Sequence, residues 1–501
     1  MTRNRSMIIA IILAVATPVV AGTASFDDDF ENATLRVDFY QYGDKAAQFM
    51  AIHRLIRQGE WAGPVRHLID PLPYGIYVAR LTDKNDGRVL YEQGFDSFFG
   101  EYRTTSPAGR GIVRVFNESV LVPFPRRAAI FSLGERPPGG EERTLVEVEV
   151  DPTSVDIAHD KPASGAVVVQ SHVAGDPHHC LDIAFIGEGY TAAEIDTFTA
   201  DVQRFTELML SQEPYASRSD RINIRGVLLP SAESGVDEPT RGVWRSTSIG
   251  ASFNSFSSPR YLLTDDSRAL RDIAATVPYD TLLIMVNHER YGGGGLYNRF
   301  CTFTAHGPVS GYLLLHEFGH SFGGLADEYY TSSTAYDNFY PEGHEPSAPN
   351  ITAEVDPAKI KWADLLTEGV ELPVAWDKGA YDEADLAYQA QRRELNNAIA
   401  EAARSGAPTA EIEALEKAEI EHSLKRMAEV EAFMEAGGQS DLVAAFEGAG
   451  YISEGLYRPQ IDCIMFSRGV KPYCSVCRRA VNARINVYTG DPIPAAMVSV
   501  Q

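Results

Sequence analysis

The sequence predicts a multidomain chain in which an N-terminal all-β sandwich precedes an α/β domain that carries a helical hairpin as an insertion. Three observations point there. Short runs of alternating apolar and polar residues, separated by turn residues, run from Ala33 to about Val155. Apolar strands alternate with helical patterns from Leu181 onward, and a stretch rich in Ala, Glu, Arg, Lys and Leu from Asp382 to Phe433 is broken once, at Gly406-Ala407-Pro408. At 501 residues and 44% hydrophobic composition, the chain exceeds one domain and can bury sizeable cores.

Residues 1–24 read as an export signal: Arg3 and Arg5 precede an apolar run from Met7 to Val20, with small residues at Val19-Val20-Ala21 or Gly22-Thr23-Ala24. The run is broken by Pro18 and is short for a membrane span, so a mature chain beginning near Gly22 or Ser25 is expected in the periplasm or outside the cell. Residues 25–163 are the expected sandwich, with strands at Thr34–Phe39, Gly75–Leu81 and Thr144–Val150. It holds no catalytic constellation, and a packing or spacing role is expected for it.

The second domain is expected over 164–490, entered through a linker or sheet edge at Ser164–Pro177. A buried strand at Leu181–Ile186 precedes a helix whose start carries the capping box Thr191-Ala192-Ala193-Glu194. A strand at Ile222–Leu229, a helix near Asp266–Ala275 and a strand at Thr281–Asn287 continue the alternation. Two antiparallel helices fill a largely helical insertion at 357–440, either a solvated face or a lid over a cleft, and 491–501 is a tail.

The chemistry is concentrated at His316-Glu317-Phe318-Gly319-His320. A helix turns once in about 3.6 residues, so the two imidazoles share a face and can bind one zinc ion, with Glu317 beside it as general base. The apolar lead-in Tyr312-Leu313-Leu314-Leu315 can bury the helix behind that face. Gly323 and Gly324 then let the helix stop in a left-handed turn, sending the chain back past the metal, where Asp327 or Glu328 can supply a third ligand. The six-residue spacing common in related sites falls on Ala326, which cannot ligate, so Asp327 is the expected third ligand in the pattern His-Glu-x-x-His-x-x-x-Gly-x-x-Asp.

These motifs, with Ile183-Ala184-Phe185-Ile186-Gly187-Glu188-Gly189-Tyr190, Glu233-Ser234-Gly235-Val236-Asp237 and Asp462-Cys463-Ile464-Met465, resemble the IgA peptidase M64 family of secreted bacterial metallopeptidases. The resemblance runs from about Val168 to Tyr488 and implies a metzincin-like catalytic domain, one catalytic zinc and endopeptidase activity on proteins or peptides. It also implies that Met465 forms an apolar floor beneath the histidines. The long charged stretch after Asp356 departs from a compact family domain.

A net charge of −25 argues against nucleic acid as a partner, since such binding needs a basic face, and no membrane role beyond the export signal is expected. Five cysteines leave at least one unpaired in an oxidising compartment; a bridge among Cys463, Cys474 and Cys477 would pin the methionine turn. One Cys474-x-x-Cys477 pair without a second is too little to assign a structural zinc or a redox pair. Gly292–Gly295 lacks the Lys-Ser/Thr ending of a phosphate loop and suits a cleft edge where a substrate backbone pairs as an added strand. Tyr457, Arg458 and Tyr473 are candidate oxyanion stabilisers, and His178, His179, His288 and His306 read as ordinary polar or capping histidines. The competing functions are an adhesin whose zinc site has become structural and a zinc amidase acting on non-protein amides.

Overall fold

The computed structural model describes residues 23–137, 140–159, 163–332, 339–340 and 343–498. All but the last two residues of the expected export signal lie outside them. A helical turn, α1 (Phe26–Asp29), leads into β1 (Phe30–Gly43) and β2 (Gln48–Arg57), followed by β3 (Tyr77–Asp83) and β4 (Val89–Phe95). Two short helices, α2 (Phe98–Tyr102) and α3 (Ser106–Gly109), precede β5 (Arg114–Pro125), β6 (Ala129–Glu135), β7 (Arg143–Val150) and β8 (Ala158–His159). The strands form two four-stranded sheets, ordered β5-β1-β2-β8 and β4-β3-β6-β7. Alternation sends Leu35, Val37 and Phe39 of one sheet and Tyr77, Ala79 and Leu81 of the other into a single core, which makes this region a sandwich.

The second region is built on a six-stranded sheet. Its strands are β9 (Val167–Val173), β10 (Leu181–Glu188), β11 (Ile222–Leu228), β12 (Thr281–Val286), β13 (Gly293–Leu296) and β14 (Phe300–Thr304), in the order β13-β14-β12-β10-β11-β9. The four inner strands run parallel and the two edges antiparallel. Helices cover both faces of a parallel sheet, which is why every residue of β10 is buried and its sequence is mostly apolar, with Asp182 and Glu188 as the charged exceptions. The stretch expected as linker or edge is the edge strand β9.

Helix α4 (Ile195–Leu210) starts behind the anticipated capping box, where the Thr191 amide donates to Glu194 Oε2 at 2.8 Å. Helix α5 (Ser267–Ala274) is capped by Asp266, whose carboxylate accepts from the Ala269 amide at 3.0 Å. After α6 (Ser310–Ser321) come the long helices α7 (Lys378–Ser405) and α8 (Thr409–Ala436), joined through Gly406 in the left-handed region and cross-linked by Arg392–Glu419 and Arg426–Asp385 ion pairs of 3.1 Å each. A hairpin of β15 (Phe446–Ala449) and β16 (Ile452–Arg458) and the buried helix α9 (Ser475–Thr489) complete the region; none of these three elements was anticipated.

The two regions pack together. Phe98, Phe99, Tyr102 and Phe116 join a core with Ile186, Leu263 and Leu296, and buried Arg299 reaches across to the Glu118 carboxylate. This contact brings Tyr74, Ile76, Asp96 and Glu101 of the N-terminal region to the wall of the cleft in front of α6. The sandwich therefore does more than space the second region from the chain end. All five cysteines are buried thiols, so no bridge pins the turn around Cys463. Among the described residues, no helix is long and apolar enough to cross a membrane.

Candidate active site

Helix α6 is buried along nearly its whole length because Leu313, Leu314, Leu315 and Phe318 enter the core, leaving one strip of the helix to face the cleft. That strip carries His316 and His320. Their Nε2 atoms stand 3.2 Å apart, the helical i, i+4 spacing made visible. Gly324 then takes φ +64°, and the chain reverses so that Asp327 Oδ1 lies 3.0 Å from His316 Nε2 and 3.2 Å from His320 Nε2.

Each imidazole is oriented from behind. His316 Nδ1 donates to the Ile464 carbonyl at 2.9 Å and His320 Nδ1 to the Leu325 carbonyl at 2.6 Å. A carbonyl only accepts, so each Nδ1 carries a hydrogen and each Nε2 is turned toward Asp327, in position to bind a shared cation. Donors bound at about 2.0–2.1 Å around one tetrahedral ion stand about 3.3 Å from each other. The observed triangle of 3.0–3.2 Å fits a small divalent metal with only slight expansion.

The electrostatics also favour a cation at this point. Burial opposes a charged His320, but the adjoining Asp327 carboxylate overrides it and raises the imidazole to about 9. Burial likewise opposes ionisation of Asp327, and the two histidines pull its carboxyl well below the usual range. The Tyr451 hydroxyl donates to Asp327 Oδ2, leaving Oδ1 to face the histidines. Tyr451 itself sits at φ +66°, and no sequence pattern near the helix pointed to it.

Glu317 lines the same cleft, of about 180 Å³, and burial raises its carboxyl above the ordinary value. Among the described residues it accepts no hydrogen bond, so its lone pairs are free to receive a proton. Met465 is fully buried, and its sulfur fills the notch at Gly319, where a Cβ would lie 2.8 Å from Sδ. Ile464 and Met465, in the turn after β16, thus pack against α6 at His316 and Gly319. Glu328, the other candidate third ligand, points away from the histidines; its Oε1 accepts from Cys477 Sγ at 3.1 Å and Asn350 Nδ2 at 3.0 Å.

Gly293, Gly294 and Gly295 form edge strand β13 along the cleft. A Cβ on Gly295 would come within 2.6 Å of the Glu317 carbonyl oxygen and 2.8 Å of His320 Cβ, so glycine is needed for the strand to lie against α6. The suggested oxyanion stabilisers are elsewhere. Arg458 hydrogen-bonds the carbonyls of Glu447, Gly448 and Ile461; the Tyr473 hydroxyl donates to the Leu315 carbonyl; and Tyr457 does not line the cleft. Instead, Tyr329 stacks on His316 at 6.2 Å and accepts from Arg260 Nη2 at 3.4 Å. Burial raises the Tyr329 hydroxyl, which keeps it a proton donor. His288 and His306 pair with Glu238 and Asp201, away from the triad.

A family profile described as IgA Peptidase M64 matches residues 169–485, and one described as Peptidase M64 N-terminus matches residues 25–145. No curated protein matches the chain at a significant level. The first match contains every side chain of the cleft-facing triad and spans well over half of the sequence, so the chain belongs to the IgA Peptidase M64 family of peptidases, with that family's N-terminal region ahead of its peptidase region.

Proposed function

We propose that this peptidase is a zinc-dependent endopeptidase, exported by its N-terminal signal, that cleaves extracellular proteins or peptides. The observation that carries the reading is the convergence of His316 Nε2, His320 Nε2 and Asp327 Oδ1 within 3.2 Å of one another, each oriented from behind by a further hydrogen bond. These three residues would hold the ion. When bound, zinc would supply a Lewis acid that lowers the pKa of water to about 7 and polarises a carbonyl.

The chain's own groups supply the rest. Glu317, with a free carboxylate in the cleft, takes the proton of the attacking water and returns it to the leaving amine. The Tyr329 hydroxyl, backed by Arg260, is placed to donate to the oxygen on which negative charge develops. Past Gly293, whose amide and carbonyl pair with Arg260 and Leu262, Gly294 and Gly295 of β13 line the cleft beside the space for an extended substrate, and Tyr74, Ile76 and Asp96 of the sandwich line its far wall. An extended polypeptide suits such a groove, and a retained Glu317 suits turnover better than an adhesin's static metal site.

The test is metal removal from the purified mature protein. Dialysis against a chelator should abolish cleavage of a denatured protein substrate, and added zinc should restore it. Undiminished cleavage by the metal-free protein would sink the proposal.

A further inference from the structure

Behind the floor of the cleft lies a second group of metal-ligating side chains that the peptidase reaction does not use. Cys463, Cys474, Cys477 and Glu328 are all buried, and one ligand atom from each lies within 4.8 Å of all the others. We propose that these four residues form a second, structural site for a thiophilic divalent cation of the zinc type, separate from the His316–His320–Asp327 triad.

The donor set and its spacing carry the argument. Sulfur ligands at about 2.3 Å around a tetrahedral ion stand about 3.8 Å apart, and a three-sulfur, one-oxygen set suits zinc rather than calcium or magnesium. Two sulfurs already accept main-chain hydrogen bonds, from the Cys474 amide to Cys463 Sγ at 3.2 Å and from the Cys477 amide to Cys474 Sγ at 3.4 Å. Such bonds stabilise thiolates. Cys474 is also the N-cap of the fifteen-residue helix α9, whose positive end favours negative charge on its sulfur.

Glu328 supplies an independent indication. It is fully buried, and its Oε2 has no hydrogen-bond partner. A sealed, unsatisfied carboxylate oxygen in a residue that groups with three thiols is costly, and a cation bound by that carboxylate removes the cost. The buried Arg458 guanidinium acts on Glu328 only through space, since its hydrogen bonds run to the carbonyls of Glu447, Gly448 and Ile461. Its charge offsets part of the excess negative charge of three thiolates and a carboxylate around a dication. A disulfide between any two of the cysteines would still leave Glu328 Oε2 without a counterpart.

The position explains what the ion would do. Glu328 follows Asp327 directly, and its amide donates to the Met465 carbonyl at 2.8 Å. Cys463 lies one residue before Ile464, whose carbonyl orients His316. One ion would therefore tie the start of α9, the Met465 turn and the segment bearing Asp327 together beneath the reaction site. As it binds, each thiol releases its proton to solvent.

Three readings on the mature protein decide the matter. Metal per chain is measured by mass spectrometry for the wild type and for a His316→Ala/His320→Ala variant; thiols are titrated after unfolding in chelator without reductant; and the wild type is loaded with cobalt(II) for absorption spectroscopy. Two ions in the wild type, one retained in the variant, five titratable thiols and a sulfur-to-cobalt charge-transfer band are expected. Three thiols would mean a disulfide and overturn the site. So would a cobalt spectrum without the sulfur band, which needs no variant to fold and is read independently of whether the histidine triad binds metal.

Discussion

The Nε2 atoms of His316 and His320 face each other across 3.2 Å, and Asp327 Oδ1 closes the triangle at 3.0 and 3.2 Å. Three donor atoms at that spacing converge on one point, where a single cation would bind all of them. Asp327→Ala is therefore expected to weaken zinc binding by more than the 10–100-fold typical of an outer partner, and to abolish peptidase activity with little change in fold. Equilibrium zinc titration by competition with a chromophoric chelator, alongside circular dichroism, checks both parts. Wild-type zinc affinity in this variant would remove Asp327 from the site.

Tyr451 is the outer partner of that carboxylate, its hydroxyl donating to Oδ2. In Tyr451→Phe the ring packing against Tyr329 remains and one hydrogen bond is lost. Zinc affinity should fall about 10–100-fold while activity at saturating zinc stays within roughly tenfold of wild type. An equal loss at saturating zinc would give Tyr451 a role in the reaction itself.

Gly295 tests how β13 lies on α6. A Cβ there meets main-chain oxygen at 2.6 Å, which no side-chain rotation relieves. Gly295→Ala should cost about 1–3 kcal/mol in urea unfolding and lower activity by displacing His320. A stable Gly295→Ala protein with reduced activity alone would mean that the glycine serves substrate approach and not packing.

Glu238 gives a pH prediction away from the metal. It is 6% exposed and faces His288 at 3.2 Å, Arg290 at 2.9 Å and Arg241 at 3.1 Å. Burial opposes its ionisation, yet these partners lower its carboxyl from 4.5 to about 2. A folded pKa below the unfolded one contributes stability that is fully present above the unfolded value and lost as pH falls toward the folded one. Wild type should therefore lose about 3 kcal/mol more than Glu238→Gln between pH 4.5 and 2. Parallel stability curves for the two proteins would contradict this.

What could be read in advance follows from how far apart the cooperating residues lie. His316, Glu317 and His320 are set by one turn of helix, and Gly324 allows a reversal short enough to bring Asp327 back, so periodicity and a turn residue reveal the triad. Choosing Asp327 over Glu328 requires the cysteine cluster that draws Glu328 away, and that cluster joins chain segments about 150 residues apart, as the separation of 149 between Cys477 and Glu328 shows. Tyr451, Tyr329 and Arg260 converge from loops without periodicity. Helix α9 escaped notice because it is buried on several sides, with Arg484 and Asn486 inside as well as Val481 and Ile485, so no amphipathic pattern marks it.

If Glu317 is the proton-transferring group of a zinc endopeptidase, Glu317→Gln removes the transfer while leaving the metal ligands in place. Wild type and variant, each zinc-loaded, are incubated with a mixture of extracellular proteins, and new peptide termini are identified by mass spectrometry. The variant should keep its zinc and fold while its cleavage rate falls about 10²–10⁴-fold, so that termini abundant with wild type are nearly absent. Equal termini from both proteins at equal zinc content would contradict it.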